Sequence, residues 1–214
     1  MKEDILEQLV DGYFLRKPKT FTKHNVKFKP SVEDISSLTN LEKSKYSVSS
    51  DIDVIAVHLG EEYENKVSAI SCKSWQDGFD IDFFYEHLTD ENKKKKRVGT
   101  SEAWKKFREL VEPTWAKAFR DKVFYETGSY DFTYYIAITK IKKNKSKKID
   151  EFRNCNLFID NLSNNGQNNV KIEFLTLEDM LSELLNEKTN TTIESTEIGR
   201  FIQLIKATGL KLEK

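Results

Sequence analysis

Residues 50–59, SDIDVIAVHL, set an aspartate inside an otherwise apolar strand. Ile52, Val54, Ile55, Ala56 and Val57 leave almost no polar face, the pattern of a central strand covered on both sides. A polar turn, GEEYENK, leads to a second β-branched run, VSAISCKSW at 67–75, which carries Lys73. Two such strands across a short turn predict an antiparallel hairpin. A carboxylate and an ammonium among apolar residues are costly unless each finds a partner. The hairpin therefore constrains fold and chemistry together: a buried sheet with Asp53 and Lys73 near its centre.

The other elements follow from periodicity. Ile5, Leu6, Leu9, Val10, Tyr13 and Phe14 make one apolar stripe on a helix over 3–15, with Glu3, Glu7 and Asp11 along its border. Alternation through Val26 and Phe28 predicts a strand at 21–29, and 30–49 reads as a long polar loop. Helical patterns at about 79–89 and 101–120 form an insertion, followed by a strand at 130–141 and a helical stretch at 147–158. The Asn-rich NLSNNGQNN is a turn before a strand at 170–175. Thr176 with Glu178 and Asp179 opens a helix, and Ser195 or Thr196 caps a last one through Leu210. This order predicts an α/β fold, a mixed central sheet flanked by helices. The core spans 1–175 and a helical extension spans 176–214.

Composition narrows the function. With 38% hydrophobic and 33% charged residues, a soluble globular chain is expected. The 35 basic and 35 acidic residues cancel, so any argument for a polyanionic partner must rest on local clusters. Two cysteines, Cys72 and Cys155, make neither a disulfide framework nor a four-thiolate zinc site and suit a reducing cytoplasm. The N-terminus lacks the basic start of a signal peptide, and no stretch approaches the ~18 apolar residues of a membrane span. No membrane partner is expected.

An acid on one buried strand and a lysine on the next are equipment for phosphodiester hydrolysis. The carboxylate suits a hard divalent cation, and the lysine positions water or steadies charge on phosphorus. The order of helix, strand and hairpin, with Asp53 in the second strand and Ser71-Cys72-Lys73 in the third, resembles the PD-(D/E)xK nuclease superfamily over roughly residues 1–90. That group includes restriction endonucleases, Mrr-like enzymes and Holliday-junction resolvases. The resemblance implies a restriction-endonuclease-like sheet and a Mg²⁺- or Mn²⁺-dependent deoxyribonuclease in DNA processing or defence. It assigns metal ligation to Asp53, the Cys72 carbonyl and Glu7 of the first helix, with Asp51 a rival on the same strand. Lys73 takes the catalytic cation's place.

The pattern departs at Ser71, where an acid is expected. Some members carry Ser-x-Lys and supply the acid from the next helix. Glu86, thirteen residues after Lys73, is the candidate here, ahead of Gln76, Asp80 and Asp82. The Ser71 departure keeps a second reading open, a catalytically inactive module that binds nucleic acid or protein. RNA is a weaker alternative substrate, since no base-reading motif separates it from DNA. Many nucleases of the group act as dimers, so the resemblance also admits a homodimer. The densest positive run, Lys93, Lys94, Lys95, Lys96 and Arg97, is the candidate for phosphate contact, with a second cluster between Lys140 and Lys148. Trp75, Trp104 and Trp115 read as packing residues, and His58 and His87 as structural.

Overall fold

The computed structural model describes residues 5–36, 39, 43, 46–74, 77–93, 97–98, 101–142, 148–186 and 197–208. In chain order, α1 spans Ile5–Leu15, β1 Thr20–Phe28, α2 Val32–Ile35, β2 Ser50–His58 and β3 Val67–Lys73. There follow α3 (Ile81–Thr89), the short strands β4 (Arg97–Val98) and β5 (Ser101–Glu102), a 3₁₀ turn at Ala103–Lys106, α4 (Arg108–Val111) and α5 (Pro113–Thr127). The rest comprises β6 (Phe132–Ile138), α6 (Ile149–Arg153), α7 (Asn156–Ser163), β7 (Val170–Thr176), α8 (Leu177–Asn186) and α9 (Glu197–Ala207).

The fold is α/β with one five-stranded mixed sheet in the order β1-β2-β3-β6-β7. The short turn after His58 returns the chain beside β2, so β1, β2 and β3 run antiparallel. A parallel neighbour needs a long crossover. The helices between β3 and β6 provide one and the pair α6–α7 another, so β3, β6 and β7 run parallel.

Alternate residues along each strand enter different apolar clusters. Ala69, Ile136 and Phe174 join Phe79, Phe107, Trp115 and Phe152 on one face. Ile70, Ala137 and Leu175 join Leu6, Val10 and Phe14 of α1 with Met180 and Leu184 of α8 on the other. The sheet is thus a middle layer between two helical layers, which explains why its central strands read as continuous apolar runs. The first helix of the C-terminal extension shares its core with α1. Among the described residues, no helix is long and apolar enough to cross a membrane.

Three sequence expectations change. The single helix expected over 101–120 is a short strand, a 3₁₀ turn and two helices. Pro113 sits at the start of α5 and disfavours helical backbone in the residue before it; Glu112 is extended at φ −115° and ψ 110°. The stretch at 147–158 divides at Asn154 and Cys155 into α6 and α7. Within the loop expected at 30–49, Ser31 and Asp34 form a capping box on α2.

One irregularity lies next to Asp53. The β1–β2 register pairs His24 with Val54 and Val26 with Ile52, and it skips Asn25 opposite Asp53. Asn25 has φ 51°, a left-handed conformation that Asn tolerates and most residues do not. Ile52 consequently enters the same cluster as Ile55, although regular alternation would put them on opposite faces. Asn25→Gly should leave stability unchanged, whereas Asn25→Ala should cost about 1 kcal/mol in urea denaturation. An alanine variant as stable as wild type would show that the backbone relaxes there without strain.

Candidate active site

The β2–β3 ladder runs from Val57·Val67 to Val54·Ile70 and stops. Beyond it the strands part, while β3 stays paired with β6 through Lys73·Ile138. Asp53 lies at this opening. Its carboxylate accepts the Cys72 backbone N–H at 2.5 Å, replacing the bond that the ladder would have made. The N–H and C=O of one strand residue lie along the same edge, so the Cys72 carbonyl is also on the Asp53 side. The Cys72 side chain instead packs with the α1 face.

Asp53 is only 9% exposed. Burial pushes its carboxyl up to about 6, against the opposing pull of Lys73 and the Cys72 N–H. Asp51 and Glu109 add like charge and push the same way as burial. Lys73 extends over the Phe107 ring, 5.8 Å from its centroid. A carboxyl titrating near 6 shows that the local environment disfavours a bare negative charge and would favour one neutralised by a cation.

Ser71, buried on the same strand, hydrogen-bonds the Tyr134 side chain. The Tyr134 hydroxyl in turn donates to the carboxylate of Glu109. Glu109 is 5% exposed and Tyr134 fully buried, with its phenol raised well above the usual range by burial and by Glu109. The position left without an acid at Ser71 is therefore bridged, through Tyr134, to a carboxylate on α4. Arg108 lies beside it, its guanidinium 4.6 Å from the centroid of the Trp115 ring.

The other sequence candidates lie on α1, on or beside α3, or outside the described residues. Glu7 is half-buried on α1, on the helical layer that faces the Cys72 side chain. Glu86 is exposed on α3 and ion-paired with Lys93, which also lies 3.8 Å from Asp90. Asp80 caps α3 by accepting the Phe83 N–H and approaches Lys142 at 3.7 Å. Asp82 lies in the first turn of the same helix. Lys94, Lys95, Lys96, Trp75 and Gln76 lie outside the described residues, as does the Arg97 side chain. His58 is buried between the Thr20 and Ser68 hydroxyls, at 2.9 and 3.0 Å, and burial lowers it to about 4.

Among the described residues, no three His, Cys, Asp or Glu side chains are grouped closely enough to hold a metal by themselves. Sequence reasoning missed Glu109, Tyr134 and Arg108. A signal was present: Glu109 sits in FRELVEP, an acid flanked by Phe107, Leu110 and Val111 just before a helix-breaking proline. Comparison with protein-family models, curated proteins and solved structures gave no match.

Proposed function

We propose that the chain is a metal-dependent phosphodiester hydrolase acting on DNA, built on a restriction-endonuclease-like core. The observation that carries this reading is the buried Asp53 at the open end of the β2–β3 hairpin, with Lys73 beside it and a second buried acid, Glu109, within range of its charge. The mixed sheet between helical layers is the architecture that the nuclease resemblance implies.

Asp53, Glu109 and the Cys72 carbonyl offer oxygen donors only, and the desolvated Asp53 carboxyl gains from a cation, so this donor set fits Mg²⁺. When bound, Mg²⁺ supplies a more acidic water and a polarised phosphoryl group. In hydrolysis a P–O bond forms to the water oxygen, which gives up a proton to bulk water, and the P–O bond to the leaving sugar oxygen breaks as that oxygen takes a proton from bulk water. Lys73 orients the attacking water and stabilises negative charge on the phosphoryl oxygens. Phe107 and Tyr134, both fully buried, give these groups apolar neighbours.

A second reading is a nuclease fold kept as a binding module. Ser71 favours it: the residue in the expected acid's place is a buried hydroxyl bonded to Tyr134. Incubation of plasmid, linear duplex, single-stranded DNA and RNA with Mg²⁺ or Mn²⁺ decides between them. Wild type should cut DNA, and Asp53→Ala and Lys73→Ala should not. Cutting confined to RNA would change the substrate class. An inert wild type that still binds nucleic acid establishes the binding module, and equal cutting by all three proteins moves the active site elsewhere.

A further inference from the structure

Among the described residues, Arg108 is a cation with no carboxylate in hydrogen-bond contact. Its guanidinium is half-buried and burial lowers its proton affinity, while Glu109 and Asp51 act on it only through their charge. Its hydrogen bond among the described residues runs from Nε to the Lys105 carbonyl at 3.4 Å, a long one. The two Nη groups, which carry the fork that matches an oxyanion, take no protein acceptor among those residues. The Trp115 ring beneath the guanidinium holds it in place.

Its position is equally specific. The neighbouring residue Phe107 carries Lys73 on its ring, and the next, Glu109, acts on Asp53. Asp51, exposed on β2 two residues before Asp53, lies within range of the guanidinium. Arg108, half-buried, thus lies within charge range of both Glu109 and the exposed Asp51. Three acids, Asp51, Asp53 and Glu109, face two cations, Lys73 and Arg108, so apart from a bound metal the opening has no surplus of positive charge, and holding a phosphodiester there depends on directed donors.

We propose that Arg108 is a phosphate-binding residue of this site, its Nη groups donating to a non-bridging oxygen of the nucleic-acid backbone. The proposal rests on the hydrolase reading and names a group that reading does not use. Holding that oxygen fixes the phosphorus relative to Lys73 and Asp53, and it stabilises charge that grows as the water attacks.

The test compares cleavage and thermal unfolding of wild type, Arg108→Lys and Arg108→Ala, with and without millimolar guanidinium. Arg108→Lys keeps a cation over Trp115 and should unfold at the wild-type temperature, yet its kcat should fall on the order of 10–100-fold. Arg108→Ala should lose cleavage and recover part of it with guanidinium ion. Wild-type kcat in Arg108→Lys, or no rescue of a folded Arg108→Ala, overturns the proposal. If Arg108→Ala does not fold, the lysine variant alone decides. If wild type itself fails to cut, the hydrolase reading falls, and binding of a short single-stranded DNA then judges Arg108. Weaker binding by Arg108→Lys supports the phosphate contact, and equal affinity overturns it.

Discussion

Asp53→Asn should abolish metal-dependent cleavage, by ~1,000-fold or more, and at the same time make the protein more stable at pH 8. Both effects have one cause. In the fold the Asp53 carboxyl titrates at about 6, and its ordinary value is 3.8. Below 3.8 it is neutral in both folded and unfolded chains and costs nothing. As pH rises from there to about 6, the unfolded chain gives up the proton more readily, so wild type loses stability across this window. The full loss is on the order of 3 kcal/mol. Asparagine keeps the shape and still accepts the Cys72 N–H, and it never ionises. The variant should therefore unfold several degrees higher at pH 8, at about 2–4 °C per kcal/mol for a chain of this size, with the gap closing toward pH 4. Mg²⁺ should raise the wild-type midpoint at pH 8 and leave that of Asp53→Asn unchanged. Calorimetry at several pH values in EDTA, then in Mg²⁺, reads all of this. A variant less stable than wild type at every pH would make Asp53 a structural residue.

The burial that raises the Asp53 carboxyl is also what made the residue legible. Asp53 and Lys73 interrupt apolar runs, and the same β-branched residues that marked β2 and β3 as buried made the two charges conspicuous. All five strands of the main sheet were readable within a few residues for that reason. Local pattern failed where tertiary structure decides. Counting helical periodicity through Pro113 merged α4 and α5 into one helix, and on that imagined helix Glu109 falls on an ordinary charged face. The separation of α4 turns Glu109 toward Tyr134 on β6. That contact spans 25 residues and has no periodicity to reveal it. Glu86 was conspicuous only by its distance from Lys73; in the fold it is exposed and paired with Lys93.

Glu109 carries the second large effect. Glu109→Gln should lower cleavage on the order of 100-fold at fixed Mg²⁺ and raise the Mg²⁺ concentration needed for half-maximal rate. The amide keeps an acceptor for the Tyr134 hydroxyl and nearly the same volume, so the fold should survive and the charge alone is lost. Tyr134→Phe makes the complementary change. It keeps the Glu109 charge but removes the phenol that orients the carboxylate and links it to Ser71. Its cost should be about 1–3 kcal/mol of stability, since a buried carboxylate loses a hydrogen bond, with a smaller fall in rate than Glu109→Gln. Glu86→Gln is the control, because an exposed residue paired with Lys93 should change neither rate nor Mg²⁺ dependence. If Glu86→Gln impairs cleavage and Glu109→Gln does not, the missing acid comes from α3 after all. If neither does, Asp53 acts without a second acid, and Glu109 is buried only to satisfy Tyr134.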